Sequence, residues 1–368
     1  MKYQQSSLGR KVQAAVIGCG RMGAFTSQSV RDFAPTCWFP LSHVEAVKSF
    51  DNIDISGVCD VNPEILKSVG KTYNISSLYT DPKTMLQSRE IDLLCIATRT
   101  QGRADLINLA FQNGVRAFHI EKPICNSVAE LDRLSKILRR DDVYVTYGTI
   151  RRSFGPYIFA KELSDRGEIG KLRSIFVDHG EGMLLWTHPH SVDLCLYFTD
   201  GLKHNDVSAS FSEINFDADS NIIQNDPYLN GALISFENDV TAHIGCAAGM
   251  TTRLVGTDGE IAIERDGYAV TVRRYDDHNP YLFSENRFDK FETLRRNGTG
   301  AAIDLLLGCI DGDAPSRQLN ISMKNDILRG QKIIFDLARS GISNTSIRAD
   351  IFSEEDFTIL GEISGKYA

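Results

Sequence analysis

The stretch Ala14-Ala15-Val16-Ile17-Gly18-Cys19-Gly20-Arg21-Met22-Gly23 is an apolar run that ends in G-x-G-x-x-G. A strand that feeds such a loop and then a helix is the phosphate-binding turn of a dinucleotide-binding βαβ unit. Each glycine has its own task. Gly18 permits the tight turn, Gly20 lets a pyrophosphate approach the backbone, and Gly23 allows close helix–strand packing, with the anion at the helix N-terminus. The bare pattern is weak, since 29 glycines in 368 residues give roughly 0.2 matches by chance. Context strengthens it. The loop follows the first strand, and a second strand ends in an acid at Val58-Cys59-Asp60. That carboxylate suits the adenosine ribose hydroxyls and repels a 2′-phosphate. Neither Val61 nor Asn62 supplies an arginine to bind one, so NAD is expected in preference to NADP.

The interval from Gly18 to Asp60 is about twice the ~20 residues usual for this unit. The excess lies at about 24–41 and holds Pro35, Cys37, Trp38 and Pro40. It reads either as a surface excursion or as a flap that brings Trp38 or Arg31 to a substrate pocket or a subunit contact.

Downstream, short β-rich runs at 13–18, 54–60, 91–98, 116–120 and 143–148 alternate with amphipathic stretches at 43–50, 64–69, 103–113 and 128–138. Near-continuous apolar runs such as Leu93-Leu94-Cys95-Ile96-Ala97 suit strands buried on both faces, and the alternation predicts a doubly wound parallel sheet over 11–150. After Arg151 the rhythm changes. Helical patterns at 157–166 and 191–198 precede a strand-rich region from 207 to 274, and helices return at 301–310 and 323–340. This predicts an α+β domain over 151–345 with an open, mostly antiparallel sheet, then a tail over 346–368.

Composition bounds the function classes. The chain is 42% hydrophobic and 24% charged with a net charge of −8, which suits a soluble globular protein and offers no basic stripe for nucleic acid. Eight cysteines contain no CxxC pair, so they read as small buried hydrophobes in a reducing compartment. Met1 to Arg10 is polar, and no apolar run approaches the ~20 residues of a membrane helix. A cytoplasmic protein with no membrane partner is expected.

Four elements come in the order and rough spacing of one family: Gly18–Gly23, then Cys59-Asp60-Val61-Asn62-Pro63, then Ile120-Glu121-Lys122-Pro123, then His190-Ser191-Val192-Asp193-Leu194. With these the chain resembles the glucose–fructose oxidoreductase / inositol dehydrogenase / MocA (Gfo/Idh/MocA) family from about Gln13 to Gly341. The resemblance implies an NAD-dependent enzyme that interconverts a secondary alcohol and a ketone on a sugar, nucleotide sugar or cyclitol, assembled as a homodimer or homotetramer. It implies cofactor contacts from Gly18, Gly20, Arg21, Met22, Gly23, Asp60, Thr98 and Glu121, and a cis peptide before Pro123. Lys122, at the C-terminal end of a buried strand, is expected to polarise or deprotonate the reacting oxygen. His190 is expected to exchange its proton. Asp193, one turn on, either orients the histidine, caps a helix or contacts substrate.

The chain also departs from the family. Trp186 stands four residues before the histidine, where an aspartate is usual. It either stacks on the apolar face of a sugar ring or packs as a core aromatic. Arg99 and Arg103 stand where proline and histidine are typical. They either bind a carboxylate or phosphate or are solvated helix-start arginines. Arg152 resembles a substrate-contacting arginine. His188 beside His190 lacks a third ligand, so no metal is expected. Two other readings of the same fold stay open: a sensor that binds NAD(H) without turnover, and an NAD-dependent glycosidase.

Overall fold

The computed structural model describes residues 9–279, 281–291, 296–349 and 356–361. They divide into two compact units, one formed by 9–150 with 296–328 and the other by 151–291 with the described residues from 329 to 361.

The first unit is built on six parallel strands: β1 Val12–Ile17, β2 Ile53–Cys59, β3 Leu78–Tyr79, β4 Leu93–Ile96, β5 Ala117–Ile120 and β6 Tyr144–Tyr147. Their order is β3-β2-β1-β4-β5-β6, with every pair parallel. β4 and β5 are buried at every residue, which is why their sequences are apolar without alternation. The order reverses between β1 and β4, so the crevice at the carboxyl ends of those strands is the ligand-binding position of this topology. The glycine loop opens there. Local signals set the helices. The Asn62 side chain accepts from the backbone N–H groups of Glu64 and Ile65 and starts the helix Pro63–Tyr73, which stops at left-handed Asn74. Ser127 caps Val128–Leu138 in the same way.

The excess segment folds as a short helix, Thr26–Val30, and a 3-10 turn, Thr36–Trp38. It is pinned within its own unit. The Thr299 backbone N–H donates to the Pro40 carbonyl at 3.0 Å, and its hydroxyl donates to that of Leu41 at 2.7 Å. Gly298 must be glycine, because its φ is +56° and a Cβ would lie 2.1 Å from the Trp38 carbonyl oxygen. Arg31 pairs with Glu45 at 2.6 Å.

The domain division differs from the expected one. The helix Gly298–Asp311 and the first half of Ala314–Ser343 were expected in the second domain and lie in the first unit. Ile303, Leu306 and Leu307 are buried in one core with Val12, Val44, Val47, Leu93 and Ala117. Burying those large apolar side chains, at ~1.5–3 kcal/mol each, outweighs their position late in the sequence. The Asn320 amide also covers the outer strand, donating to the Val145 carbonyl at 2.8 Å and accepting from its N–H at 3.1 Å.

The second unit carries a ten-stranded sheet. Its central strand Leu172–Asp178 pairs in parallel with Thr241–Gly245 and antiparallel with Thr251–Gly256, and the remaining pairs are antiparallel. The expected tail is partly sheet. Ile347–Arg348 pairs with His204–Phe211, and Thr358–Ile359 pairs with Ile222–Ile223. Residues 350–355 and 362–368 of that tail lie outside the described residues. Among the described residues no helix is long and apolar enough to cross a membrane.

Candidate active site

The first unit's site begins at the glycine loop, where the three glycines meet three different constraints. Gly18 has φ +86°, and a Cβ there would lie 2.6 Å from the Ala97 carbonyl carbon. A Cβ on Gly23 would lie 1.9 Å from the Gly18 oxygen, whereas one on Gly20 would meet nothing within 4 Å. Gly18 and Gly23 are therefore needed by the fold, and Gly20 leaves its surface open for a ligand. Arg21 and Met22 follow in the first helical turn, Arg21–Phe25. The Asp60 carboxylate accepts from the N–H of Cys19 at 2.7 Å and of Asn62 at 2.9 Å. It is thus fixed across the mouth of the loop. At the end of β4 the Thr98 hydroxyl oxygen is shielded from solvent and finds no partner among the described residues. Open backbone at Gly20, a fixed acid at Asp60 and an unused hydroxyl at Thr98 fit a dinucleotide held by Gly18–Gly23, Asp60 and Thr98. Arg99, one residue on, is exposed.

Glu121-Lys122-Pro123 follows β5, with the Lys122–Pro123 bond cis. Glu121, expected among the cofactor contacts, turns its side chain to the protein's own groups. Its carboxylate is 5% exposed, takes His43 Nε2 at 3.1 Å and accepts from the Lys122 N–H at 3.2 Å. It lies against Gly148, where a Cβ would meet Oε2 at 2.7 Å. Burial alone pushes this carboxyl up. The hydrogen bond and charge of His43, and the charge of Lys122, overcome it and hold the group down at about 2. His119 lies beside His43 with ring centroids 4.6 Å apart, and burial first, then His43, pushes it down to about 3.

Arg103 is neither an anion site nor a solvated helix start. It is 2% exposed, and its guanidinium donates to the Glu121 carbonyl at 2.6 Å and to the carbonyls of Pro123 and Thr98. Five rigid donors let one side chain hold both flanks of Lys122 and the end of β4. Lys122 itself is partly exposed.

In the second unit, His190 occupies the first turn of the helix His188–Phe198 and is partly exposed. His188 is structural. It is buried, its Nε2 donates to the Gly182 carbonyl at 3.2 Å, its Nδ1 faces the Ser191 hydroxyl at 3.2 Å, and burial pushes it down to about 4. Trp186 is not a core aromatic, being 46% exposed. The loop beneath it is tied by Asp226, whose carboxylate accepts from the N–H of Leu185 at 2.7 Å and of Trp186 at 3.0 Å. Arg152 and Asp193 were both expected to reach substrate. They hold each other, with Arg152 Nη2 at 2.6 Å and Nε at 3.0 Å from the two carboxylate oxygens. Both are nearly buried, so their charges are already matched.

Sequence reasoning missed His43, His119, Asp226 and the use of Arg103. None carries a local signal, because each acts on a residue brought close only by the fold. His43 and Glu121, for instance, are 78 positions apart.

Residues 12–149 match the model of a family described as "Oxidoreductase family, NAD-binding Rossmann fold". D-apiose dehydrogenase from Paraburkholderia graminis is 29% identical over 121 residues, 33% of this chain and 28% of that protein. Myo-inositol 2-dehydrogenase from Thermotoga maritima is 23% identical over 160 residues, 44% of this chain and 42% of that protein. The matched part therefore spans less than half the length of these curated relatives. The crystal structure of the WlbA dehydrogenase from Bordetella pertussis, in complex with NADH and UDP-GlcNAcA, superposes with a TM-score of 0.69 at 16% identity over 93% of this chain and 100% of that one. At that identity the likeness is one of fold.

Proposed function

We infer, from a chain whose residues 12–149 match the model of the Gfo/Idh/MocA oxidoreductase family, an NAD-dependent dehydrogenase or reductase acting on CH–OH. Its substrate class is a sugar, nucleotide sugar or cyclitol with a secondary alcohol or the matching ketone. The observation that carries the reading is the held Glu121-Lys122-Pro123 segment. Arg103 clamps the carbonyls on both sides of Lys122, and Glu121 takes the Lys122 N–H. A lysine whose backbone is fixed in this way, with a side chain still partly exposed, is the arrangement an acid/base group needs.

Bound nicotinamide supplies or accepts the hydride. Lys122 Nζ donates to the substrate oxygen, or takes its proton. His190, at the start of its helix, is the second group assigned to proton exchange. Trp186 offers an exposed aromatic face on a loop held by Asp226, suited to the apolar face of a sugar ring. Asp60 disfavours a 2′-phosphate, so NAD is preferred over NADP. Self-association into a homodimer or homotetramer belongs to the same proposal.

The test is absorbance at the NADH band with NAD or NADP and a panel of cyclitols, free sugars, sugar acids and nucleotide sugars. Turnover by one class with NAD is expected. Lys122→Ala should keep NADH binding and cut that turnover by ~10²-fold or more. Equal loss of binding and turnover would make Lys122 structural and sink the assignment. A flat panel from protein that binds NADH would favour the sensor.

A further inference from the structure

We propose that His43, His119 and Glu121 form a binding site for one divalent transition-metal ion of the zinc class. The inference goes beyond the oxidoreductase reading and does not rest on it. Two segments build the site. His43 is the first residue of the helix His43–Lys48, His119 lies in β5, and Glu121 is the residue just past the end of that strand. All three side chains are buried, and one donor atom from each lies within 4.8 Å of the others.

One edge of this imidazole–imidazole–carboxylate set already has the length a metal needs, and the wider separations, up to 4.8 Å, close by about 1.5 Å on binding. His43 Nε2 and Glu121 Oε1 are 3.1 Å apart. Metal bonds of about 2.0–2.1 Å to such ligands imply a tetrahedral edge of roughly 3.3 Å. His119 Nδ1 is engaged by the Thr146 hydroxyl at 3.0 Å, the outer contact that fixes a ligating imidazole with its other nitrogen pointing inward. That nitrogen, His119 Nε2, is shielded from solvent and has no hydrogen-bond partner among the described residues. A buried ring nitrogen without a partner is unusual in a folded protein, and an ion would use it in its unprotonated form. Two imidazoles and one carboxylate select zinc and its neighbours over calcium or magnesium, which take oxygen ligands. The positive charges of Arg103 and Lys122 close by oppose a cation, so affinity in the micromolar range is expected rather than the tightest zinc binding.

The test uses the full chain, stripped with a chelator and titrated with Co²⁺ and then Zn²⁺. One ion per chain is expected, with visible cobalt absorption that zinc displaces. His119→Phe should weaken uptake by more than ~100-fold, and Thr146→Val by roughly 10-fold. No uptake, or uptake unchanged in His119→Phe, overturns the proposal and leaves a metal-free hydrogen-bonded cluster. Should His119→Phe fail to fold, X-ray absorption on the wild-type cobalt protein decides the matter. Two imidazoles in the first shell support the site, and fewer overturn it.

Discussion

Replacing Arg103 by methionine keeps a long apolar stem but removes every donor to the carbonyls of Thr98, Glu121 and Pro123. A hydrogen bond from a charged donor contributes ~1.5–3 kcal/mol, and a buried acceptor left without a partner costs ~1–3 kcal/mol. The loss is partly offset, because burial of a guanidinium is itself unfavourable and already pushes its pKa down. For three carbonyls, of which water reaches few, the expected net loss is about 3–5 kcal/mol. Arg103→Lys retains the charge but gathers its donors on one atom. It reaches one or two of the carbonyls, so it should lose about half as much. Urea unfolding of the three proteins measures these differences, and NADH titration reports whether the β4 end has shifted. A methionine variant within ~1 kcal/mol of wild type would refute the clamp. A variant with full stability but a selective loss of response to anionic substrates would return Arg103 to the anion-binding role that the structure denies it.

Gly148→Ala should be destabilising by ~1–3 kcal/mol, because the new methyl meets the Glu121 carboxylate at 2.7 Å and drives it off His43. A thermal midpoint equal to that of wild type would contradict the packing described. Acid should unfold the protein early. His119 and His179 are pushed down to about 3 and His188 to about 4 from 6.5, with burial the largest cause in each. As pH falls below 6.5 the unfolded chain takes up protons that these buried rings refuse, so stability drops, and Glu121 adds to the loss below 4.5. Each histidine accounts for roughly 2 kcal/mol at most by pH 5. Urea midpoints measured between pH 7 and pH 5 that do not move would rule this out.

Most of the first sheet is legible in the sequence because its signals are local. An apolar run too short for a helix, a glycine turn and a closing acid identify β1, the loop and Asp60 without reference to anything distant. Lys122 is legible for the same reason, since the residues around it form a contiguous motif. The supports of that motif are not legible. Arg103 begins a helix after Gly102 and carries nothing to distinguish it from a solvated arginine. Only the fold brings it under the end of β5. Arg152 and Asp193 show the converse: each alone looks available to a substrate, and their mutual pairing appears only in three dimensions. The late helices were misassigned because an amphipathic stretch does not state which core its apolar face will enter. Ile303 and Leu307 would suit either unit by composition, and packing against Val44 and Leu93 decides.

That last packing has a consequence for the order in which the protein becomes itself. On the ribosome, Val44, Val47 and Leu93 emerge long before Ile303, Leu306 and Leu307, which share their core. The dinucleotide-binding sheet is therefore made early and kept waiting, with one apolar flank bare, while most of the second unit is synthesised. Contacts closed across such a span of chain are slow to form, and the flank left open is what chaperones bind and what aggregates. Cutting the gene after the sixth strand would thus not liberate a tidy cofactor module. It would release a sheet that lacks one of its own walls.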